Sequence, residues 1–322
     1  MSTRADDLID RRRLRRKLTF WRAAAFLVLA LAVIAAARWV FGDTLAAGPH
    51  IAQVRIEGTI LEDKDLLDVL ENVRKSSAVK GVIVTVDSPG GTTVGGEAIF
   101  EAIRRLAETK PVVAQVGTLA ASAGYMIASA ADHIVARQTS IVGSIGVIIQ
   151  FPEVTELLNK LGIRVEEVKS SPLKAEPSPF NPTTDEERRM LAAMIGDSYN
   201  WFVDLISERR KLPRNEVLTL ADGSIFTGRQ ALERKLVDAL GGEREAQAWL
   251  TEQGLSADLN VVEWKPRDSD GTIFLPTSAA EWLAGMLGLP GRETLLERLG
   301  MEHIFLDGLL SLWQPEKVEL QE

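Results

Sequence analysis

Three stretches rich in glycine and serine hold the side chains and backbone groups that could do chemistry. Each follows a short apolar run, the place where α/β proteins build ligand sites. The first is Asp87-Ser88-Pro89-Gly90-Gly91-Thr92-Thr93-Val94-Gly95-Gly96. It lacks the Gly-Lys-Ser/Thr spacing of a phosphate loop and is not a dinucleotide fingerprint. Its paired glycines either make a tight turn or aim backbone N–H groups at an oxyanion. The second is Gly117-Thr118-Leu119-Ala120-Ala121-Ser122-Ala123-Gly124-Tyr125, which puts a serine among tiny side chains at a strand-to-helix junction. Ser122 there is either a helix N-cap or a nucleophile. The third, Gly143-Ser144-Ile145-Gly146, reads as a turn.

A serine nucleophile needs a base. The three histidines are poorly placed for a triad: His50 abuts a Gly-Pro linker, His133 lies in an expected strand, and His303 is near the end of the chain. With no cysteine, disulfides, thiolate metal sites and a cysteine nucleophile are excluded. A desolvated lysine can replace histidine as the base. The candidate is Lys174, in the proline-rich stretch Ser170-Ser171-Pro172-Leu173-Lys174-Ala175-Glu176-Pro177-Ser178-Pro179-Phe180. By composition alone that stretch is a surface loop with a solvated lysine.

The elements that must position these groups follow from periodicity. Ile51–Ile56 reads as a strand and Asp63–Ser76 as a helix with Leu66, Leu67 and Leu70 on one face. Val82–Val86 and Pro111–Val116 are short β-branched runs, the signature of strands buried on both faces. Helices are expected over Gly95–Thr109 and Ser122–Ala130, then short strands at Ile134–Ala136 and Val147–Ile149, a helix at Glu153–Leu161 and a strand at Arg164–Val168. A long helix over Thr184–Arg210, two shorter ones around Arg229 and Glu243, and a last strand at Asn260–Trp264 complete the body. Alternation of this kind predicts an α/β fold with right-handed crossovers and a largely parallel sheet.

Hydrophobic residues at 46% and charged residues at 25% describe a globular protein and exclude general disorder. Charge is unevenly spread. Residues 1–22 carry eight basic and three acidic side chains, net +5, which leaves −13 for the remaining 300 residues of a chain totalling −8. An acidic body argues against nucleic acid as a partner. The basic start is followed by a predicted transmembrane anchor, residues 23–42, within an apolar stretch from Phe20 to Gly42 that has tryptophans near both ends. The positive-inside rule places residues 1–22 in the cytoplasm and the body outside, the periplasmic side in a bacterium. A signal peptide cut after Ala47 is the competing reading. The expected domain is 48–264. A polar linker and an amphipathic helical tail, 265–322, follow, the tail carrying Trp282, Leu283, Phe305, Leu306, Leu309, Leu310 and Trp313.

Taken together and in order, Asp87-Ser88-Pro89-Gly90-Gly91, Ala121-Ser122-Ala123-Gly124-Tyr125, Ala131-Asp132-His133-Ile134-Val135-Ala136, Gly143-Ser144-Ile145-Gly146-Val147 and the Lys174 loop ending Ser178-Pro179-Phe180 resemble the signal peptide peptidase A family. The matching segments span roughly residues 50–240. The resemblance implies a Clp protease/crotonase-like fold and a bacterial inner-membrane serine endopeptidase acting on remnant signal peptides, with no cofactor or metal. It implies Ser122 as nucleophile, Lys174 as general base, Ser144 as the residue orienting the lysine, and Gly91 and the N–H of Ala123 as oxyanion hole. One departure is Ala123, where the family usually has glycine. A single copy resembles the short type, in which each subunit supplies both dyad residues and subunits form a homo-oligomeric ring. The rival readings are an inactive membrane scaffold of the same fold and a crotonase-like enzyme acting on acyl thioesters.

Overall fold

A computed structural model describes residues 20–30, 48–266 and 310–312. Its contacts divide the chain into two units at Pro49/His50. In the first unit, residues 20–30 are helical (α1), with Phe20, Trp21, Phe26, Leu27, Val28 and Leu29 exposed. Among the described residues no helix is long and apolar enough to cross a membrane. The rest of the predicted anchor, 31–42, lies outside the described residues.

The second unit is an α/β body built on one twisted sheet. Strands β1 (His50–Ile60), β2 (Val79–Thr92) and β3 (Val112–Ala121) run parallel, with α2 (Lys64–Lys75) and α3 (Thr93–Ala107) as the crossovers between them. Helix α4 (Ala123–Ser129) leads on to β4 (His133–Ala136), which pairs with the first half of β3, and β5 (Ile141–Gly143), which pairs with its second half. Helices α5 (Thr155–Lys160), α6 (Asp185–Arg210) and α7 (Arg214–Leu220) come next. Then β6 (Ile225–Thr227) pairs antiparallel with β5, α8 (Gly228–Glu233) follows, and β7 (Ala239–Leu240) joins β4. After α9 (Glu243–Glu252), β8 (Val261–Glu263) lies parallel on the free side of β1. A last strand, β9 (Leu310–Leu312), runs antiparallel to the end of β2.

The period-two alternation of a strand assigns the two faces. Even-numbered positions Val54, Val82, Val84, Val86, Val112, Ala114 and Ile134 enter the large core beneath the helices, together with Ile103, Tyr125, Phe202 and Ile206. Odd-numbered Ile51, Ile83, Val113 and Val135 form a smaller cluster under α9, closed by Ala246 and Leu250. Further along that second face the odd positions turn polar. Gln53, Arg55, Thr85, Asp87 and Gln115 line a cavity of about 450 Å³. Helix ends obey local chemistry: Asp63, Thr92 and Thr184 each accept a hydrogen bond from an N–H of the first turn they cap, and at α6 Glu187 closes a capping box with Thr184.

The sequence expectations differ from the structure in places that share a cause. Strand β2 runs six residues and β3 five beyond their apolar cores, through segments rich in glycine and small residues. The predicted strand at Val147–Ile149 is absent, and the strand in that region is Ile141–Gly143 instead. Arg164–Val168 forms no strand, and its side chains are exposed. Helix α7 was not expected. Of the tail predicted to be helical, only 310–312 are described, and they form a strand.

Two of the histidines are held by tryptophans in structural roles. His50 accepts a hydrogen bond from Trp264 Nε1 at 3.2 Å, and His133 stacks on Trp249 with ring centroids 5.0 Å apart. Burial pushes the His133 imidazole below its ordinary value. The unfolded chain therefore takes up a proton that the folded form resists once the pH falls below about 6.5, so folding weakens there. His133→Phe, which keeps a ring against Trp249, should lose less stability than the wild type between pH 7 and pH 5. Urea unfolding midpoints at the two pH values check this.

Candidate active site

Ser122 stands at the point where β3 ends and α4 begins, and its backbone sits at φ 57°, ψ −120°. That is a left-handed conformation in which a side chain other than glycine's is strained, by roughly 1–3 kcal/mol. Its hydroxyl makes no capping hydrogen bond to α4, so the N-cap reading fails. What holds the turn is backbone: Ser122 N–H donates to the carbonyl of Gly143 at 2.8 Å, and the Ser122 carbonyl accepts from Met126 N–H at 2.9 Å. Ser122 is buried.

Ser144 arrives at the same end of the sheet by register. Ala121 of β3 is paired with Gly143 of β5, so Ser122 and Ser144 each follow one member of that pair. Ser144 also has positive φ, 52°, and is pinned by its N–H to the Ser224 carbonyl at 2.7 Å. The glycine-rich end of β2 lies on the other side. Ser88 is paired with Ala120, and a Cβ on Gly124 would come within 2.8 Å of the Ser88 carbonyl oxygen. Gly91 is fixed by β1: a Cβ there would sit 1.9 Å from the Ile60 carbonyl oxygen. Gly90 has φ 109° and Ser88 Oγ donates to the Gly58 carbonyl at 2.6 Å, so this segment is a shaped extension of the strand.

Ala123 shows how the departure from glycine is accommodated. It is the first helical residue of α4, is not among the positive-φ positions, and its Cβ lies 3.1 Å from where a Cβ on Gly96 would be. Alanine is therefore unstrained here, and at the first turn of a helix its N–H has no partner within the helix. Asp87 is a positioning residue that motif reading passed over. Its carboxylate accepts from the N–H groups of Thr118 and Leu119, both at 3.2 Å, and braces the strand that delivers Ser122. The signal was present, since a carboxylate among small residues at the end of a buried strand needs donors.

Lys174 stands exposed on a turn closed by its own N–H to the Ser171 carbonyl. The loop around it is stiff through charge as much as through proline. Lys169 bridges Glu167 and Glu176, Glu176 accepts from Ser178 N–H at 2.6 Å, and Ser178 Oγ donates to Glu167 at 3.2 Å. The lysine beside it holds the Glu176 carboxyl below the usual range, and Glu167 with Glu176 raises Lys169. The structure thus gathers Ser122, Ser144, Gly91 and Ala123 at one end of the sheet and carries Lys174 on an exposed loop. Among the described residues no cluster of histidine and carboxylates could hold a metal ion.

A serine on a strained turn between a parallel strand and a helix is the arrangement of nucleophile elbows in serine-type hydrolases. Comparison with known proteins agrees. The description "Peptidase family S49" matches residues 104–256. A putative protease of Methanocaldococcus jannaschii is 37% identical over 238 residues, covering 71% of this chain and 76% of that protein. A putative protease of Synechocystis is 39% identical over 245 residues, covering 74% and 88%. A putative signal peptide peptidase of Enterococcus faecium is 33% identical over 222 residues, covering 68% and 64%. The chain belongs to peptidase family S49, the signal peptide peptidase A family.

The strain at Ser122 has a measurable consequence. Ser122→Gly should remove it and, after glycine's entropic cost, leave the protein about 1 kcal/mol more stable than Ser122→Ala, which retains it. Gly91→Ala should destabilise by several kcal/mol, because the Ile60 carbonyl belongs to a paired strand and cannot move aside. Chemical denaturation of the three variants checks both statements.

Proposed function

We propose that this protease is a membrane-anchored serine endopeptidase that cleaves remnant signal peptides and other apolar segments through an acyl-enzyme on Ser122. The observation that carries the reading is the strained, positive-φ serine at the end of β3. A fold tolerates such strain where function requires it. In the proposed mechanism, neutral Lys174 takes the hydroxyl proton and Ser122 Oγ attacks the scissile carbonyl. The N–H groups of Gly91 and Ala123 hold the oxyanion, each donor worth roughly 3 kcal/mol at the transition state. The lysinium protonates the leaving amine, and water then releases the acyl group. Ser144 orients the lysine amine.

Lys174 must close on the serine for this to work, and assembly supplies a reason for it to do so. Leu157, Leu161, Ile163, Val165 and Val168 are exposed on the segment that precedes the lysine loop, an apolar surface suited to a neighbouring subunit. A homo-oligomeric ring would cover it and take Lys174 out of bulk water, which favours the neutral form of a buried amine. Because Lys174 is exposed, a second reading is one in which the lysine of one subunit serves the serine of the next. The basic residues 1–22 and the apolar stretch after them support the anchor, with the body outside the cytoplasm.

A fluorophosphonate probe should label Ser122 in the full chain, and neither Ser122→Ala nor Lys174→Ala should be labelled there. Unlabelled, folded, oligomeric wild type would remove the protease mechanism in favour of an inactive scaffold. Co-assembling the two variants discriminates the readings: recovery of about a quarter of wild-type turnover is expected for random mixing in a ring of head-to-tail contacts. No recovery would place both residues of each working pair in one subunit.

A further inference from the structure

The second face of the sheet holds a polar cavity for which the chemistry at Ser122 has no use. Its volume is about 450 Å³, within the range of roughly 300–1,000 Å³ that small-ligand sites occupy. It lies toward the C-terminal ends of β1, β2 and β3, where α/β sheets receive ligands. Register builds its floor. Val86, Val116 and Ala136 are paired across β2, β3 and β4, so the residues that follow them, Asp87, Gly117 and Arg137, stand in the next row. Glu57 of β1 is paired with Asp87 and extends that row. The row therefore has carboxylates at one end, a bare glycine in the middle and a guanidinium at the other end. Gly117 has to be bare, because a Cβ there would lie 2.8 Å from Asp87 Oδ2.

The two ends are incompletely matched. Like charges opposed on neighbouring strands repel, and Glu57 and Asp87 are such a pair. Arg55 offsets part of this at 3.6 Å from Glu57, but it lies closer to Glu263, at 2.9 Å. At the other end Arg137 is exposed and enters no ion pair among the described residues. Arg55 and Arg137 against Glu57, Asp87 and Glu243 leave the lining at net −1, which disfavours a phosphate or other polyanion. Among the described residues no aromatic ring lines it, so a nucleobase has no surface on which to stack. What suits such a cavity is a zwitterion.

We propose that this cavity binds a short peptide with both ends free, its carboxylate on Arg137 and its ammonium between Glu57 and Asp87. The rows of Asp87 and Arg137 are two strand spacings apart, about 9.5 Å. Three extended residues span about 10 Å, whereas a single amino acid is too short to engage both ends. Peptides of this size are what hydrolysis of a signal-peptide remnant releases, so the cavity is a product site on the strand that delivers Ser122. The inference rests on the peptidase reading for the meaning of the site, but binding there can be tested without turnover.

The test is calorimetric titration of the full chain carrying Ser122→Ala with trialanine, N-acetyl-trialanine and trialanine amide. Trialanine should bind, and either cap should weaken it about tenfold, the effect of losing one charge-assisted contact. Arg137→Met should weaken trialanine and the acetylated peptide about tenfold yet leave the amide unchanged, since the amide has no carboxylate to lose a partner. Glu57→Gln should weaken trialanine and the amide but leave the acetylated peptide unchanged. Both side chains are exposed, so neither substitution threatens the fold. No binding of trialanine, or variants that bind all three peptides as the parent does, would overturn the proposal. Wild type blocked at Ser122 by a fluorophosphonate should bind trialanine as tightly as the Ser122→Ala chain. Loss of binding on blocking would assign the peptide to the active site and overturn the proposal as well. Cap-dependent binding in a protein whose Ser122 is never labelled would keep the product cavity's ligand and remove the peptidase mechanism; labelling without trialanine binding would do the reverse.

Discussion

The structure depends on a parting of strands. Were β3 to stay beside β2 to its end, its last residues would be an ordinary rung of a parallel sheet and no turn at Ser122 would be needed. Instead the pairing of β3 with β2 ends at Ala120 and Ser88, while its other side stays paired with β5 to Ala121 and the Ser122 N–H is captured by the Gly143 carbonyl. That capture holds the serine backbone in its strained form, and α4 starts one residue later. Asp87, holding the N–H groups of Thr118 and Leu119, steadies β3 just before the two strands part. The strained turn at Ser122 and the nearness of Ser144 both follow from this one divergence.

The lysine loop obeys a different constraint. It is tied by an ion cluster of Glu167, Lys169 and Glu176 and carries its amine into solvent.

Much of this was legible in the residues. The β-branched runs at Val82–Val86 and Pro111–Val116 and the spacing of Leu66 and Leu70 gave the sheet core and its crossovers, because burial on both faces permits little else. Ser122 was found by its tiny neighbours. Its strain was not, since φ depends on a hydrogen bond to Gly143, twenty-one residues away. The segment Asp87–Gly96 was open between a tight turn and an oxyanion cradle, yet β2 continues through it to Thr92: Gly91 is glycine because Ile60 crowds it, a tertiary cause with no local mark. Arg164–Val168, with its two valines, was expected as a strand because β propensity records suitability for a sheet, not the presence of a partner. Strand β9 was hidden for the same reason in reverse.

Helix α4 carries one more implication. All seven of its residues, from Ala123 to Ser129, are buried, and Tyr125 is held by its hydroxyl on the Leu236 carbonyl at 2.8 Å. A helix normally keeps a wet face on which mutations drift at little cost. This one has none, so seven consecutive codons behind Ser122 are closed to neutral change, and innovation in this protease must enter through its loops.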